Sequence, residues 1–363
     1  MKKKVALIGT NGIPAKYGGF ETLTEYLAKY LNEEYDLSVY CAKNPKENRL
    51  KRFNNSRLIY LPFKANGWQS MIYDALSIIH ALYISDVLVI LGFSGVFVFP
   101  LNVFFKKKII FNIGGIEWKK VRGKKSLAAI EVVAKKWFER ICIHFSDVII
   151  VDNQVLWNYI KEVYYVNSVL IEYGGDHAIR EPITEELIKK YPFMAKKYDV
   201  SISRAQEDMN INILIDSYKE TPNRNLVVVS NWDTSEYGVK LKKENKDKYH
   251  NIFLQDAVYN LFELNAIRSN AKIYIHTHSL CGTAPSLIEA MYLGLPIICF
   301  EVDTNRATTE EKSFYFKDVM SLKEILSKLD DATIRKLGQD MYLIANKRYT
   351  WKRIVNLYKS CIE

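Results

Sequence analysis

Cysteine is scarce in this chain, and its distribution excludes several kinds of small module. The five cysteines are odd in number, and none forms a Cys-x-x-Cys pair. This pattern argues against a disulfide framework and a structural zinc module, and it favours a reducing cytoplasm. The cysteines are Cys41, Cys142, Cys281, Cys299 and Cys361.

Several other signals are missing. There is no zinc-finger spacing, RNA-recognition signature or helix-turn-helix pattern, so nucleic acid is not an expected partner. Repeats, Ser/Pro-rich linkers and low-complexity tracts are also lacking. No segment combines the charged start, apolar middle and small-residue cleavage site of a signal peptide, so we expect a cytoplasmic protein.

One long apolar segment, residues 87–105, approaches the length of a transmembrane helix. Gly92, Gly95 and Pro100 interrupt it, so we interpret it as a strand, a loop and a helix of a parallel α/β core. The helix ends at Lys106–Lys108. Apolar surface beside a basic cluster is typical of proteins that touch anionic bilayers, so we expect a peripheral membrane contact there.

Length and charge suggest two dissimilar halves. The 363 residues, 48% of them hydrophobic, suffice for two domains with sizeable cores. Residues 1–170 hold 24 Lys and Arg against 14 Asp and Glu, whereas the rest holds 27 of each. A basic first half suits anionic lipid or a pyrophosphate-bearing substrate, although a merely solubilising surface is the alternative.

The first residues predict the opening of a doubly wound α/β domain. An apolar strand, Lys4–Ile8, is followed by a glycine-rich loop and a helical pattern through Leu31. The loop lacks the GxGxxG spacing, so a dinucleotide site is poorly supported. Gly18 and Gly19 allow backbone amides to approach a phosphate or a sugar, and a tight turn without a ligand is the alternative.

The segment from His276 to Arg306 carries the clearest local signals. We predict a helix over Ala284–Leu293, N-capped by Thr283 and ended by Gly294. Its N-terminus is a candidate site for an anion such as phosphate. Glu289 lies on this apolar helix and needs a partner, for which a sugar hydroxyl and a salt bridge both remain open.

Two histidines, His276 and His278, flank Thr277 in the same segment. An i, i+2 pair on a strand is compatible with a metal site. No Asp-x-Asp and no third ligand is nearby in the sequence, so we expect no metal site and no cofactor.

These motifs resemble a known enzyme family. Pro285–Met291 (PSLIEAM) with Gly294–Ile298 (GLPII) resembles the donor-nucleotide signature of family 4 glycosyltransferases with the GT-B fold. Residues 282–286 (GTAPS) and 9–22 (GTNGIPAKYGGFET) are most similar to its bacterial rhamnosyltransferase branch, which builds capsule and other surface polysaccharides. The resemblance implies two Rossmann-like doubly wound domains facing across a cleft.

The resemblance also implies roles for individual residues. Glu289 holds the nucleotide ribose, Arg204 serves the donor diphosphate, and Arg306 serves the diphosphate or the sugar; both arginines are expected catalytic residues. The other implied donor-binding residues are Gly18, Gly19, Asn210, Gly282, Thr283 and Ser286. Residues 112–120 (NIGGIEWKK) resemble an acceptor-facing element, which implies acceptor-side roles for Asn112, Glu117 and Trp118.

Three positions depart from the family pattern. Gly114 stands where Asp is usual, Met209 where Lys or Asn is frequent, and Cys281 where the first Glu of a Glu-x7-Glu pair belongs. Glu117 is then the nearest acid that could act as a catalytic base, and a structural partner of Lys119 or Arg122 is the alternative.

We therefore expect an acceptor-side domain over 1–175, a nucleotide-sugar domain over 176–345 and a C-terminal helix over 346–363 that packs back on the first. The expected enzyme transfers a sugar, L-rhamnose in this branch, from a dTDP- or UDP-linked donor to a lipid-linked glycan with retention. The rival is a non-catalytic partner or scaffold of a polysaccharide assembly complex. A nicotinamide oxidoreductase lacks its fingerprint here.

Overall fold

The structure is a computed structural model that describes residues 1–15, 18–42, 49–115 and 125–363, with side chains of the last range described from 129. The chain forms two compact units. The first comprises Met1–Glu172 and Trp351–Glu363, and the second comprises Tyr173–Thr350.

The first unit is built on an eight-stranded sheet in the order β3-β4-β2-β1-β5-β6-β7-β8. All neighbours are parallel except the short antiparallel pair β3–β4. Its strands are β1 (Lys4–Ile8), β2 (Asp36–Ala42), β3 (Arg52–Phe53), β4 (Ser56–Leu61), β5 (Val87–Leu91), β6 (Lys108–Asn112), β7 (Val148–Val151) and β8 (Val169–Leu170). The helices are α1 (Gly19–Leu31), α2 (Gln69–Ile84), α3 (Asn102–Phe105), α4 (Lys125–Phe145) and α5 (Gln154–Tyr164).

The central strands of this sheet are covered on both faces, as parallel sheets require. All five residues of β5, Val-Leu-Val-Ile-Leu, are buried. The apolar segment after β5 forms a 3₁₀ turn, Val96–Leu101, and the short helix α3. In the part of the chain that the structure describes, no helix is both long enough and apolar enough to cross a bilayer.

The second unit holds a six-stranded parallel sheet in the order β11-β10-β9-β12-β13-β14. Its strands are β9 (Asp199–Ile202), β10 (Leu226–Ser230), β11 (Ile252–Asp256), β12 (Tyr274–His276), β13 (Ile297–Phe300) and β14 (Phe314–Phe316). Its helices are α6 (Glu185–Lys190), α7 (Ile211–Lys219), α8 (Glu236–Asn245), α9 (Leu261–Ser269), α10 (Pro285–Tyr292), α11 (Asp303–Thr308), α12 (Val319–Lys328) and α13 (Asp331–Arg348).

The last helix, α14 (Trp351–Ile362), belongs to the first unit. It is amphipathic, with Trp351, Ile354, Val355 and Tyr358 buried along one stripe. The Trp351 ring stacks on Tyr26 of α1 with centroids 4.2 Å apart and planes 1° from parallel. The C-terminal segment thus completes the fold of the first unit.

The unit boundaries differ slightly from the predicted ones at 175/176 and 345/346. Gly175 belongs to the second unit, because its N–H donates to the Tyr349 carbonyl at 2.8 Å. A Cβ on Gly175 would lie 2.6 Å from Ile288 Cγ2, so the glycine permits a close approach to α10. Tyr349 itself, the last residue but one of the second unit, is fully buried.

Candidate functional site

The strand order of the second unit places a candidate site at one edge of its sheet. Counted in chain order, its strands follow the 3-2-1-4-5-6 arrangement of a Rossmann domain, and β9 and β12 are the neighbours at which the order reverses. In such sheets ligands bind outside the carboxyl ends of the strands at this switch point. Arg204 follows β9 there, and His276 ends β12.

Arg204 supplies positive charge at this edge. The side chain is exposed, and within the described residues it takes part in no ion pair. Its charge disfavours protonation of His278, which places the guanidinium close to the end of β12. Arg204 is thus a cation available to an anionic ligand.

The segment His276–Thr277–His278 is buried at its start and held by two asparagine side chains. Asn210 Nδ2 donates to the Thr277 carbonyl at 2.9 Å, and Asn305 Nδ2 donates to the His278 carbonyl at 3.0 Å. Asn305 is 1% exposed and also donates to the Phe300 carbonyl at 2.9 Å. Both amides position the backbone of the loop, a role that the motif comparison did not assign to Asn305.

The two imidazole rings lie 4.1 Å apart between centroids. Burial and the neighbouring His278 lower the pKa of His276 well below its usual value. Burial and then the Arg204 charge lower the pKa of His278 to about 3. Both rings are therefore neutral at pH 7.

Cys281 lies beside these rings. One ring nitrogen of each histidine and the Cys281 sulfur all lie within 4.8 Å of one another. The expectation that no third ligand lies near the histidine pair is therefore wrong. It failed because the loop returns the residue at position 281 towards the end of β12.

Helix α10 begins one residue later than predicted, at Pro285. Ala284 is the N-cap residue, and no side chain caps the helix, so the predicted capping role of Thr283 is wrong. Thr283 is instead 3% exposed. The helix ends at Tyr292, one residue earlier than predicted. The predicted left-handed Gly294 is confirmed: its φ is +67°, and the Leu295 and Gly294 N–H groups donate to the Ala290 and Met291 carbonyls.

Glu289, on α10, has protein partners for both carboxylate oxygens. His177 Nε2 lies 3.0 Å from Oε1, and Arg268 Nη2 lies 2.5 Å from Oε2. Burial acts to raise the pKa of Glu289, but the Arg268 charge and the His177 contact outweigh it and lower the pKa to about 2. The salt-bridge alternative thus describes these contacts, and each oxygen keeps a second lone pair for another donor.

The remaining predicted donor residues divide into loop positions and supports. Ser286 lies in the first turn of α10, close enough to the Tyr274 hydroxyl to lower its pKa in part. Gly282 is buried in the loop before the helix. Asn210 uses its amide donors on backbone carbonyls, as described above, and Met209 is 2% exposed within the core. Position 209 therefore contributes packing to the second unit.

Arg306, predicted to serve the diphosphate or the sugar, lies on α11 and pairs with acidic residues on either side of this helix. Nη1 lies 2.5 Å from Glu311 Oε2, and Nη2 lies 2.8 Å from Glu301 Oε1. The guanidinium also lies 4.2 Å from the centroid of the Tyr315 ring. A ligand that recruits Arg306 has to displace these contacts, so its predicted role is less well supported than that of Arg204.

In the first unit, the loop after β1 is tied to α1. Glu21 Oε1 accepts from the Asn11 N–H at 3.0 Å, and Glu25 Oε2 accepts from the Ala15 N–H at 2.5 Å. Gly18 precedes α1 with φ +111°, where a Cβ would lie 2.1 Å from Glu21 Oε2. Gly18 is thus required by the turn, and Gly19 is the first residue of α1.

The predicted acceptor-side residues are only partly described. Asn112 is 1% exposed; its Nδ2 donates to Tyr358 Oη at 2.6 Å, and its Oδ1 accepts from Gly114 N–H at 3.0 Å. Asn112 therefore fixes the end of β6 through its contacts to Tyr358 and Gly114. Glu117 and Trp118 lie outside the described residues, so their roles stay predictions.

Gly114 has a physical reason in this chain. Its φ is +56°, and a Cβ there would lie 2.5 Å from Phe20 Cζ. The Asp that is usual at this position would therefore have to move the Phe20 ring.

A titratable group that the motifs did not reveal lies on α2. Asp74 is 5% exposed, and burial raises its pKa to about 8, although a hydrogen bond from Ser94 lowers it in part. Asp74 lies against Gly95, where a Cβ would be 2.9 Å from Asp74 Cβ. No sequence periodicity distinguishes it from an exposed helical Asp.

Comparison with family models divides the chain as the structure does. Residues 183–341 match the model described as Glycosyl transferases group 1. Residues 2–176 match a model described as a domain of unknown function (DUF1972). No curated protein matches the chain. The match to the glycosyltransferase model lies within the second unit.

Solved structures share the fold at low sequence identity. Sucrose-phosphate synthase from Thermosynechococcus elongatus has a TM-score of 0.81 at 17% identity, covering 99% of both chains. HepE from Anabaena in complex with UDP and glucose has a TM-score of 0.76 at 13% identity, also covering 99% of both. A glycosyltransferase from Rickettsia africae has a TM-score of 0.75 at 14% identity, covering 100% of this chain and 99% of that one. The predicted GT-B class of fold, with two Rossmann-like domains, is confirmed.

Proposed function

We propose that this chain is a retaining glycosyltransferase that moves L-rhamnose from a dTDP- or UDP-linked donor to a hydroxyl of a lipid-linked glycan. The observation that carries the proposal is the exposed Arg204 at the switch point of the second unit, whose sequence matches the group 1 glycosyltransferase model; its charge acts on His278, and α10 begins seven residues after His278. A cation and a helix N-terminus together are suited to a diphosphate.

The donor is held by its two polar parts. The diphosphate lies against Arg204 and the backbone of Gly282 and Thr283, and the ribose hydroxyls donate to the remaining lone pairs of Glu289. Glu289 suits this role because it is ionised and fixed in place by Arg268 and His177. The HepE neighbour was solved in complex with UDP and glucose, which supports a nucleotide-sugar donor for this chain.

The transfer step needs no enzyme nucleophile. The bond from the sugar anomeric carbon to the donor phosphate oxygen breaks, and the bond from that carbon to the acceptor oxygen forms on the same face. The acceptor proton passes to the leaving phosphate. Arg204 stabilises the charge that develops on the diphosphate, and the rate arises from electrostatics and positioning. No metal takes part in this step.

The acceptor is proposed to be carried by the membrane, and the first unit has a surface suited to a bilayer. Val103 and Phe104 of α3 are 61% and 83% exposed, and Lys106 follows them. Tyr83 of α2, 69% exposed, contacts Phe105 with ring centroids 4.7 Å apart. Exposed aromatic and aliphatic groups beside lysines favour insertion into an anionic interface.

The alternative function is a non-catalytic partner in polysaccharide assembly. It draws on Gly114, Met209 and Cys281, which depart from the family pattern. Two of these departures have structural reasons: Gly114 accommodates Phe20, and Met209 fills the core. These two departures therefore do not favour the non-catalytic alternative, and a nucleotide-binding measurement decides between the two functions.

The first experiment is titration calorimetry of dTDP, UDP and GDP with the full chain and with Arg204→Ala. A charge-assisted contact contributes about 1.5–3 kcal/mol, so we expect affinity to fall by a factor of about 10 to 150. Arg335→Ala, an exposed arginine on α13, is the matched control and should bind normally. Failure to bind any nucleotide would favour the non-catalytic alternative.

Transfer itself is tested with radiolabelled dTDP-rhamnose and UDP-glucose on polyprenyl-diphosphate-linked acceptors. Product formation with retained configuration supports the proposal, and binding without transfer to any acceptor contradicts it.

The membrane contact is tested by co-sedimentation with phosphatidylglycerol and phosphatidylcholine vesicles. Val103→Ser with Phe104→Ser should lose binding to the anionic vesicles, whereas Leu343→Ser, on α13 and 55% exposed, should not. Equal sedimentation of both variants would refute the membrane surface.

A further inference from the structure

We propose that His276, His278 and Cys281 form a binding site for a soft divalent transition metal, with Zn²⁺ as the expected ion. The residues supply two imidazole nitrogens and one sulfur. This is the donor set that zinc prefers when three protein ligands leave a fourth position open. The site goes beyond the proposed glycosyl transfer and does not depend on it.

The first argument is geometric. The three ligand atoms lie within 4.8 Å of one another without any metal in place. Tetrahedral zinc, with bonds of about 2.0–2.3 Å, needs ligand atoms about 3.3–3.6 Å apart. A contraction on the order of 1 Å completes the site, and side-chain rotation of His278 and Cys281, both half-buried, can supply it.

The second argument is the lack of other partners for the imidazoles. His276 is 1% exposed, and within the described part of the chain neither of its ring nitrogens has a hydrogen-bond partner. The same holds for His278 Nε2. Buried polar atoms are rarely left unsatisfied, and each costs about 1–3 kcal/mol. A metal ion satisfies one nitrogen of each ring at once.

The third argument is that the loop is fixed before a metal arrives. Asn210 and Asn305 hold the carbonyls of Thr277 and His278, so the backbone that carries both imidazoles is already constrained. Such supporting contacts raise metal affinity because less order is lost on binding. On binding, the Cys281 thiol loses its proton to solvent and its sulfur bonds the metal, so one proton is released for each ion.

The test is competition of the full chain with a chromophoric chelator for Zn²⁺, with Co²⁺ as the spectroscopic probe. We expect one tightly bound ion, and for Co²⁺ a sulfur-to-metal charge-transfer band. Cys281→Ala and His278→Ala should each weaken Zn²⁺ binding at least about 100-fold. Cys299→Ala, the neighbouring buried thiol on β13, is the matched control and should retain the affinity.

A second readout uses the unaltered protein. Zn²⁺ should protect Cys281 from alkylation, as measured by peptide mass spectrometry, whereas Mg²⁺, which prefers oxygen ligands, should not. The proposal is overturned if Zn²⁺ binds no tighter than to Cys281→Ala, if Cys299→Ala abolishes binding, or if Zn²⁺ leaves the alkylation rate unchanged. Nucleotide binding is measured on the same variants. If it is normal in all of them, a loss of Zn²⁺ binding reports on the metal site and not on the proposed donor site.

Discussion

Replacing Glu289 with alanine should destabilise the second unit strongly, because the buried Arg268 then loses its anionic partner. Arg268 is 2% exposed, and its Nη2 lies 2.5 Å from Glu289 Oε2. Removing one member of a buried ion pair costs about 3–5 kcal/mol, a large share of the roughly 5–15 kcal/mol of a whole domain. The depressed pKa gives an independent figure: a fall from 4.5 to about 2 corresponds to about 3 kcal/mol at neutral pH.

The pH dependence has a definite sign. Because the folded pKa of Glu289 is depressed, its contribution is present above pH 4.5 and is lost as the pH falls towards about 2. The assay is hydrogen–deuterium exchange of α10 at increasing urea, which isolates the second unit from the first. Arg268→Leu with Glu289→Leu removes both charges and should recover most of the loss. The reasoning would be refuted if Glu289→Ala lowered the free energy of unfolding by less than about 1 kcal/mol, or if the double variant were less stable than Glu289→Ala.

Three further predictions concern buried contacts. Asp74→Asn should stabilise the first unit at pH 7 and flatten the dependence of its stability on pH. Because the folded pKa of Asp74 is raised to about 8, the native protein loses stability as the pH rises from about 4 to 8. Urea unfolding midpoints across that range measure the effect, and parallel pH profiles for the variant and the unaltered protein would contradict it. Tyr358→Phe should lower the free energy of unfolding by about 1–3 kcal/mol, because the Asn112 amide loses its partner at 2.6 Å. An unchanged urea unfolding midpoint would contradict this prediction. Gly338→Ala should cost about 1–3 kcal/mol, since its Cβ would lie 2.5 Å from the Gly294 carbonyl oxygen; thermal unfolding decides, and a gain in stability would show helix propensity winning.

Much of the fold was readable from the sequence where burial made it repetitive. The bounds of β1 are the predicted ones, because it is a short apolar run followed by a glycine. The strand β14 was missed, as its three residues carry too little pattern. Residues Asp303–Arg306 lie in helix α11, where Asn305 donates to the carbonyls of His278 and Phe300, contacts that helical periodicity does not reveal.

The site was less predictable because its contacts are long-range. The motif identified Glu289, but His177 lies 112 residues earlier in the chain, and no spacing rule joins them. The same applies to Asn305, which reaches back 27 residues to His278. The local motif thus identified Glu289, but its protein partners are set by tertiary packing, which the sequence pattern does not show.

The departures from the family pattern compensate each other in charge. The family that the motifs resemble often has Lys or Asn at position 209 and Glu at position 281, and this chain has the neutral Met209 and Cys281 in their place. Relative to members with Lys at position 209, this chain has lost one charge of each sign at the carboxyl edge of β9 and β12, so the replacements leave the proposed attraction of Arg204 for a diphosphate in place. Met209 is 2% exposed, so Met209→Lys would bury a charge rather than restore a ligand. The two replacements are therefore compatible with the proposed donor site at Arg204.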